Sequence, residues 1–309
     1  MQTMKERWDF FEKNYVILET PNIGIDAPKI KLGDKNQPCR FCGKKAPDVQ
    51  FKTVAHAIPE SLGNKSVILL NECDSCNKFF SENLENHFDH YTKIYRTIGQ
   101  IKGKKKVPNY KSRNHQTKII YENLKGPLIQ TVINSHDVFL KKDTSEMEII
   151  FDREPYIPAA VYKCLVKMAL SIMPETELDN FKDTIRWILS PDHSRHFMKP
   201  LILQSAFIPG PKPNPVLLFT IFKKNNLIVN YPNYVFFIAF GNVAYQIMVP
   251  SNLDRSFSSI SWVPMFQPAP FEDKNYGSPE FIQKDMTSHE KQQDKIPITY
   301  TYDELIEIN

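Results

Sequence analysis

Apolar and polar positions along this chain repeat with two different periods. From Cys73 onward, Phe80, Leu84, Phe88, Tyr91 and Tyr95 fall three or four residues apart, the spacing of one helix face. The stretch "CDSCNKFFSENLENHFDHYTKIYRTIG" is therefore predicted to be a helix, with Asp74 or Ser75 able to cap it. Upstream, "QFKTVAHAI" alternates as a strand does. "PESLGNK" follows as a turn, because Pro stops a hydrogen-bond ladder and Gly-Asn permits reversal. "SVILLNE" is a second strand, so the local order is strand, strand, helix. The opening "MQTMKERWDFFEKNYV" mixes charges and aromatics as an amphipathic helix does.

Beyond Gly126 the pattern changes. "HDVFLKKDTSEMEIIFD" reads as a hairpin, and "PYIPAAVYKCLVKMALSIM" and "ETELDNFKDTIRWIL" as two helices divided by Pro174. "PLILQSAFI", "PVLLFTIFKK", "NLIVNY", "YVFFIAFG" and "VAYQIMV" are short β runs split by turn residues, as expected of an antiparallel sheet. From about Pro264 the chain becomes Pro-rich and irregular, then ends in "ITYTYDELIEIN". The expected organisation is α+β in two domains, 1–125 and 126–309, the second carrying the antiparallel sheet.

Charge and cysteines sharpen this picture. The chain has 309 residues and a net charge of +4. No apolar run approaches the roughly 20 residues that cross a bilayer, and the first residues lack a signal-peptide pattern, so a cytoplasmic protein without membrane contact is expected. The charge is unevenly spread. Lys102, Lys104, Lys105, Lys106, Lys111, Arg113 and Lys118 follow one another with no acid between Gln100 and Tyr121, whereas the tail from Glu272 leans acidic. Cys39 and Cys42, then Cys73 and Cys76, form two Cys-x-x-Cys pairs, a spacing suited to one tetrahedral Zn²⁺ held by four thiolates. Gly43, directly after the first pair, suits a knuckle that needs a positive φ. Such a site can supply on the order of 10 kcal/mol of folding free energy and need do nothing else. Redox pairs are the second reading. Cys164 falls at helical spacing among apolar residues and is expected in the core.

"AHAIPESLGN" followed by "NECDSCN" resembles the HNH endonucleases, and the resemblance covers roughly residues 36–100. It implies a zinc-bound ββα-metal fold in the N-terminal domain and hydrolysis of DNA phosphodiester bonds. By position His56 would be the general base, Asn71 would hold the His56 loop by bonding backbone across the hairpin, and Asn77 would give an amide oxygen to a catalytic Mg²⁺ or Mn²⁺. The Zn²⁺ on Cys39, Cys42, Cys73 and Cys76 would be structural. One departure stands out: the position before the histidine, acidic in many members, is Ala55. Glu85, two turns beyond Asn77 on about the same helix face, is the replacement ligand to consider, with Glu60 behind it. Lys102, Lys104, Lys105, Lys106, Lys111 and Arg113 would contact nucleic-acid backbone, positioning it without reading sequence. His87, His90, His193 and His196 are expected as surface or cap residues, and Arg153, Arg186 and Arg195 as members of surface pairs.

The N-terminal half is also similar to the nuclease domains of bacterial anti-phage effectors. That likeness implies a defence or restriction role, with a C-terminal domain that regulates or targets the nuclease through a nucleotide second messenger or a protein activator. It leaves a homo-oligomer open. The alternative is a non-enzymatic, zinc-stabilised module that binds nucleic acid or protein. Such a module has no need of His56.

Overall fold

The computed structural model describes every residue except 1–2, 21–27, 122–126, 133–134, 197, 212–213, 226–229, 255–264, 270–271, 273–275 and 308–309. The expected strand "NLIVNY" and the boundary residue Gly126 lie wholly or partly outside these residues. Helix α1 (Met4–Asn14) opens with a capping box, in which Thr3 Oγ1 accepts from the Glu6 amide and Glu6 returns a carboxylate oxygen to the Thr3 amide. Strands β1 (Tyr15–Glu19), β2 (Ile30–Leu32), β3 (Ala55–His56) and β4 (Val67–Leu69) precede α2 (Asp74–Phe80). A π-helical turn, Ser81–Glu85, joins α2 to α3 (Asn86–Ile98), so the expected helix is continuous but widened in its middle. Strands β5 (Tyr110–Lys111), β6 (Lys118–Tyr121) and β7 (Pro127–Gln130) form a small antiparallel sheet that carries part of the basic run.

The hairpin β8 (Val138–Lys141) and β9 (Glu146–Asp152) appears as expected and pairs with β15 (Lys295–Thr301) from the end of the chain. Between them lie α4 (Pro158–Ile172), with Pro at its first turn, and α5 (Lys182–Ile188), preceded by a 3₁₀ stretch at Glu175–Phe181. Strands β10 (Ile202–Phe207), β11 (Asn214–Lys224), β12 (Tyr234–Gly241), β13 (Val243–Met248) and β14 (Glu280–Asp285) build the main sheet in the order β1-β11-β12-β13-β10-β14. This is a mixed α+β architecture with antiparallel sheets. One pair, β2 with β4, is parallel.

The core crosses the sequence boundary expected at 125/126. Strand β1 pairs antiparallel with β11, so an N-terminal element edges the main sheet. Phe10 and Phe11 of α1 pack with Phe222, Val235 and Phe237 on one side of that sheet. On the other side a single apolar cluster joins Phe80, Leu84 and Phe88 to Leu165, Ala169, Phe236 and Tyr245. Helix α4 is the centre of this cluster, with all 15 of its residues buried, Cys164 among them. Gly241, at φ +51°, fits the β12–β13 turn against the end of α3, where a Cβ would stand 3.2 Å from the Gly99 Cα.

Candidate active site

Two short knuckles bring four cysteines together. The Sγ atoms of Cys39, Cys42, Cys73 and Cys76 lie within 4.8 Å of one another, and Cys42 to Cys73 is 3.7 Å. Four sulfurs about 2.3 Å from a tetrahedral Zn²⁺ would stand about 3.8 Å apart, so the group fits zinc. Gly43 takes φ +70° and closes the first knuckle by donating to the Cys39 carbonyl. The hydrogen bond between Cys76 and Cys39 lowers the Cys39 thiol and raises that of Cys76, so the two share a proton that a metal would displace. Arg40 N donates to the Asn71 carbonyl and ties the two knuckles together.

The segment between the knuckles presents His56. Strand β3 pairs antiparallel with β4, His56 opposite Ile68 and Ala55 opposite Leu69. Both strands are shorter than expected, and in the first the Lys52 and Thr53 amides are taken by the Asp74 carboxylate instead of a ladder. That also corrects the cap: Cys73 is the N-cap of α2 and has no side-chain cap bond, while Asp74 braces the knuckle from the first turn. The bonds that hold the hairpin come from Asn64, which is fully buried. Its Nδ2 donates to the Ile58 and Val67 carbonyls, and its Oδ1 accepts from the Ser66 and Val67 amides. Asn71, expected in that role, donates through Nδ2 to Gln37 Oε1 at 3.4 Å, beside the zinc knuckle. Sequence reasoning passed over Asn64 because Gly-Asn also reads as a plain reversal.

His56 keeps 19% of its side chain exposed, and no group of the described residues hydrogen-bonds its ring. Its nearest acid is Glu60, with Nε2 4.0 Å from Oε1. Burial lowers the imidazole below its ordinary value of 6.5; Glu60 opposes this, Lys167 adds to it, Glu85 opposes it and Lys104 adds to it. Asn77 lies half-buried on the first turn of α2, and its side-chain amide has no hydrogen-bond partner among the described residues. Glu85 closes the π turn with its side chain 23% exposed and Oε1 3.3 Å from Lys167 Nζ. A π turn within a helix often marks a functional site. Ala55 is buried and can bind nothing. Among the described residues, the cysteines are the only group of three or more His, Cys, Asp or Glu side chains gathered closely enough to hold a metal between them.

The basic run passes alongside. Lys102, Lys104, Lys105, Lys106, Lys111 and Arg113 are all exposed. Gly103 lets this loop lie on the turn after His56, where a Cβ would stand 3.3 Å from the Ser61 Cα. The loop therefore borders the face that carries His56. Further along the basic run, a cleft of about 350 Å³ is lined by Lys106, Val107, Asn109, Lys118, Ile120 and Tyr121.

His193 departs from expectation, whereas the His90 side chain is exposed as expected. His193 is buried, with its ring 6.2 Å from that of His87, and His87 Nδ1 accepts from the Ile157 amide. His196 Nε2 donates to the Thr287 carbonyl, and His90 sits against the Pro155 carbonyl and Glu154. Arg186 and Arg195 form the expected surface pairs, but Arg153 is buried, bonded to Asp294 at 2.8 Å and stacked on Tyr91.

Residues 39–92 match the family model described as HNH endonuclease, a segment that holds both knuckles, His56, Asn64, Asn77 and Glu85. The four-cysteine group inside it is compatible with structural zinc, as the resemblance implies. No curated protein and no solved structure matches the chain. No helix among the described residues is long and apolar enough to cross a membrane.

Proposed function

We propose that the protein is a metal-dependent HNH endonuclease that hydrolyses DNA phosphodiester bonds on a zinc-stabilised ββα-metal scaffold. The observation that carries this reading is the state of His56: within a segment matching HNH endonucleases, its imidazole is partly exposed, without a hydrogen-bond partner among the described residues, and held towards the neutral form. A neutral imidazole can take a proton from an attacking water. Asn64 keeps the His56 loop rigid, and the loop of Lys102, Lys104, Lys105 and Lys106 neutralises backbone phosphates beside it. Lys111 and Arg113 extend the same surface. Contacts of that kind carry no sequence information, so cleavage has little sequence preference.

The donors on hand suit a hard divalent cation, Mg²⁺ or Mn²⁺: the free amide oxygen of Asn77 and the second carboxylate oxygen of Glu85. With Ala55 in place of an acid, water and the substrate phosphate would have to complete the shell of an ion held there. Bound there, the ion would stabilise the charge that develops on the phosphate and the leaving oxygen. The C-terminal half regulates or targets the nuclease, in response to a nucleotide or a protein activator, in a defence or restriction role.

The test is plasmid cleavage with Mg²⁺ or Mn²⁺ by the purified protein, beside an EDTA control and His56→Ala. The expected result is EDTA-sensitive nicking that falls by about 10²-fold or more in the variant, the scale of a lost general base. Undiminished cleavage by folded His56→Ala would overturn the mechanism and leave a zinc-stabilised binding module as the better reading.

A further inference from the structure

The C-terminal half reaches the candidate site through one side chain. Lys167 lies in the middle of α4, 75 residues past the end of the matched segment, and its side chain is wholly buried. Its Nζ stands 3.3 Å from the His56 carbonyl, 3.3 Å from Glu85 Oε1 and 3.3 Å from Glu72 Oε2, above the ring of Phe80. These acceptors come from β3, the end of the π turn and the link into α2.

Stability is a poor account of this arrangement. Desolvation offsets much of the attraction in a buried ion pair, and an apolar side chain of similar volume often serves as well. What the ammonium adds is direction, because three acceptors from three elements converge on one point. Two of the three belong to the residues assigned to chemistry, the main chain of His56 and the carboxylate of Glu85. A second contact fixes α4 from the other side: Arg40, inside the first knuckle, donates through Nη1 to the Leu170 carbonyl at 3.1 Å and the Met173 carbonyl at 2.6 Å. Those are the last carbonyls of α4, which a cation suits. The helix is thus seated by the zinc knuckle and returns a lysine to the strand that the knuckles frame.

We propose that Lys167 is a positioning residue for phosphodiester cleavage: by donating to the His56 carbonyl and to Glu85 it fixes the base and the acidic end of the π turn at one separation, so that the 39–92 segment is completed by a helix outside it. This rests on the nuclease reading above. Lys167 touches no substrate. It acts through the two groups it holds.

The test uses Lys167→Met, Glu72→Gln and the double variant Glu72→Gln/Lys167→Met, each checked for zinc content and melting temperature. Lys167→Met leaves the buried Glu72 and the partly exposed Glu85 without their cation and lowers the melting temperature; the double variant removes the carboxyl at residue 72 and recovers part of it. The expected kinetic result is a kcat reduced by about tenfold or more in both Lys167→Met and the double variant, with KM for DNA within about twofold, the pattern of misplaced reacting groups. Hydrogen exchange at the Ala57 amide, bonded to the Val67 carbonyl, is expected to quicken in the same two variants and not in Glu72→Gln. If kcat and exchange return to wild type in the double variant as its stability returns, Lys167 is only a charge partner for Glu72 and the proposal falls. If neither Lys167 variant folds, Lys167 is a folding residue and the proposal also falls. A wild type that cuts no DNA with either metal leaves no kcat to compare, and the exchange rates then decide by themselves whether Lys167 holds the His56 strand: unchanged exchange at Ala57 in Lys167→Met overturns the proposal.

Discussion

A histidine can serve as a base only in the fraction of molecules that hold it neutral. His56 meets this demand through burial, the largest influence on it, which disfavours the imidazolium; Glu60 and Glu85 work against that, and Lys167 and Lys104 reinforce it. The result lies below the ordinary 6.5, so the imidazole is mostly unprotonated at neutral pH, as the proposed base must be. The sign follows directly: raising pH through neutrality gains little, and lowering it protonates the base. The acid limb of kcat/KM for plasmid nicking is therefore expected below pH 6.5, and a limb centred above 7 would contradict the assignment. Asn64 shows the same economy in another form. One buried amide satisfies two carbonyls and two amides of the turn that carries His56.

The elements around the site are short, and short elements need a clip. Strand β3 has two residues and β4 three, too few ladder bonds to fold unaided. The four thiolates supply what the ladder lacks, on the order of 10 kcal/mol when zinc binds. Stripping zinc with a strong chelator is expected to abolish cleavage, with activity returning only when Zn²⁺ and Mg²⁺ are added together. Return with Mg²⁺ alone would give the cysteine group a lesser role. The clip was readable from Cys-x-x-Cys spacing, since spacing is what a tetrahedral metal constrains. The helix face from Phe80 to Tyr95 was readable from periodicity. The π turn between them was not, because one extra residue in a turn leaves apolar spacings of three and four intact. The strand "QFKTVAHAI" read too long for a similar reason: alternation survives in the sequence even where Asp74 draws the backbone amides of Lys52 and Thr53 off the ladder.

At the scale of the molecule, two regions with separate sequence signatures share one interior. No local pattern announces that β1 will pair with a strand some 200 residues away, or that α4 will cover Phe80 and Leu84. The same long-range packing moved His193 from an expected surface position to a buried one, where its ring meets that of His87 on α3. Burial lowers both rings to about 4, against an ordinary 6.5. Unfolded, each binds its proton near 6.5; folded, only near 4. Between those values the unfolded chain holds more protons, so stability rises with pH across the window and is lost as pH falls through it. The loss falls on the junction between the HNH segment and the rest of the chain, because His87 belongs to the first and His193 to the second. With the core continuous across that junction, melting is expected as one cooperative transition whose midpoint drops steadily from pH 6.5 to about 4. In His193→Gln, where the side chain cannot titrate, calorimetry should find a shallower drop over the same range. An identical slope in the variant would show that acid acts elsewhere, and two separate transitions would show that the halves do not share their interior in solution.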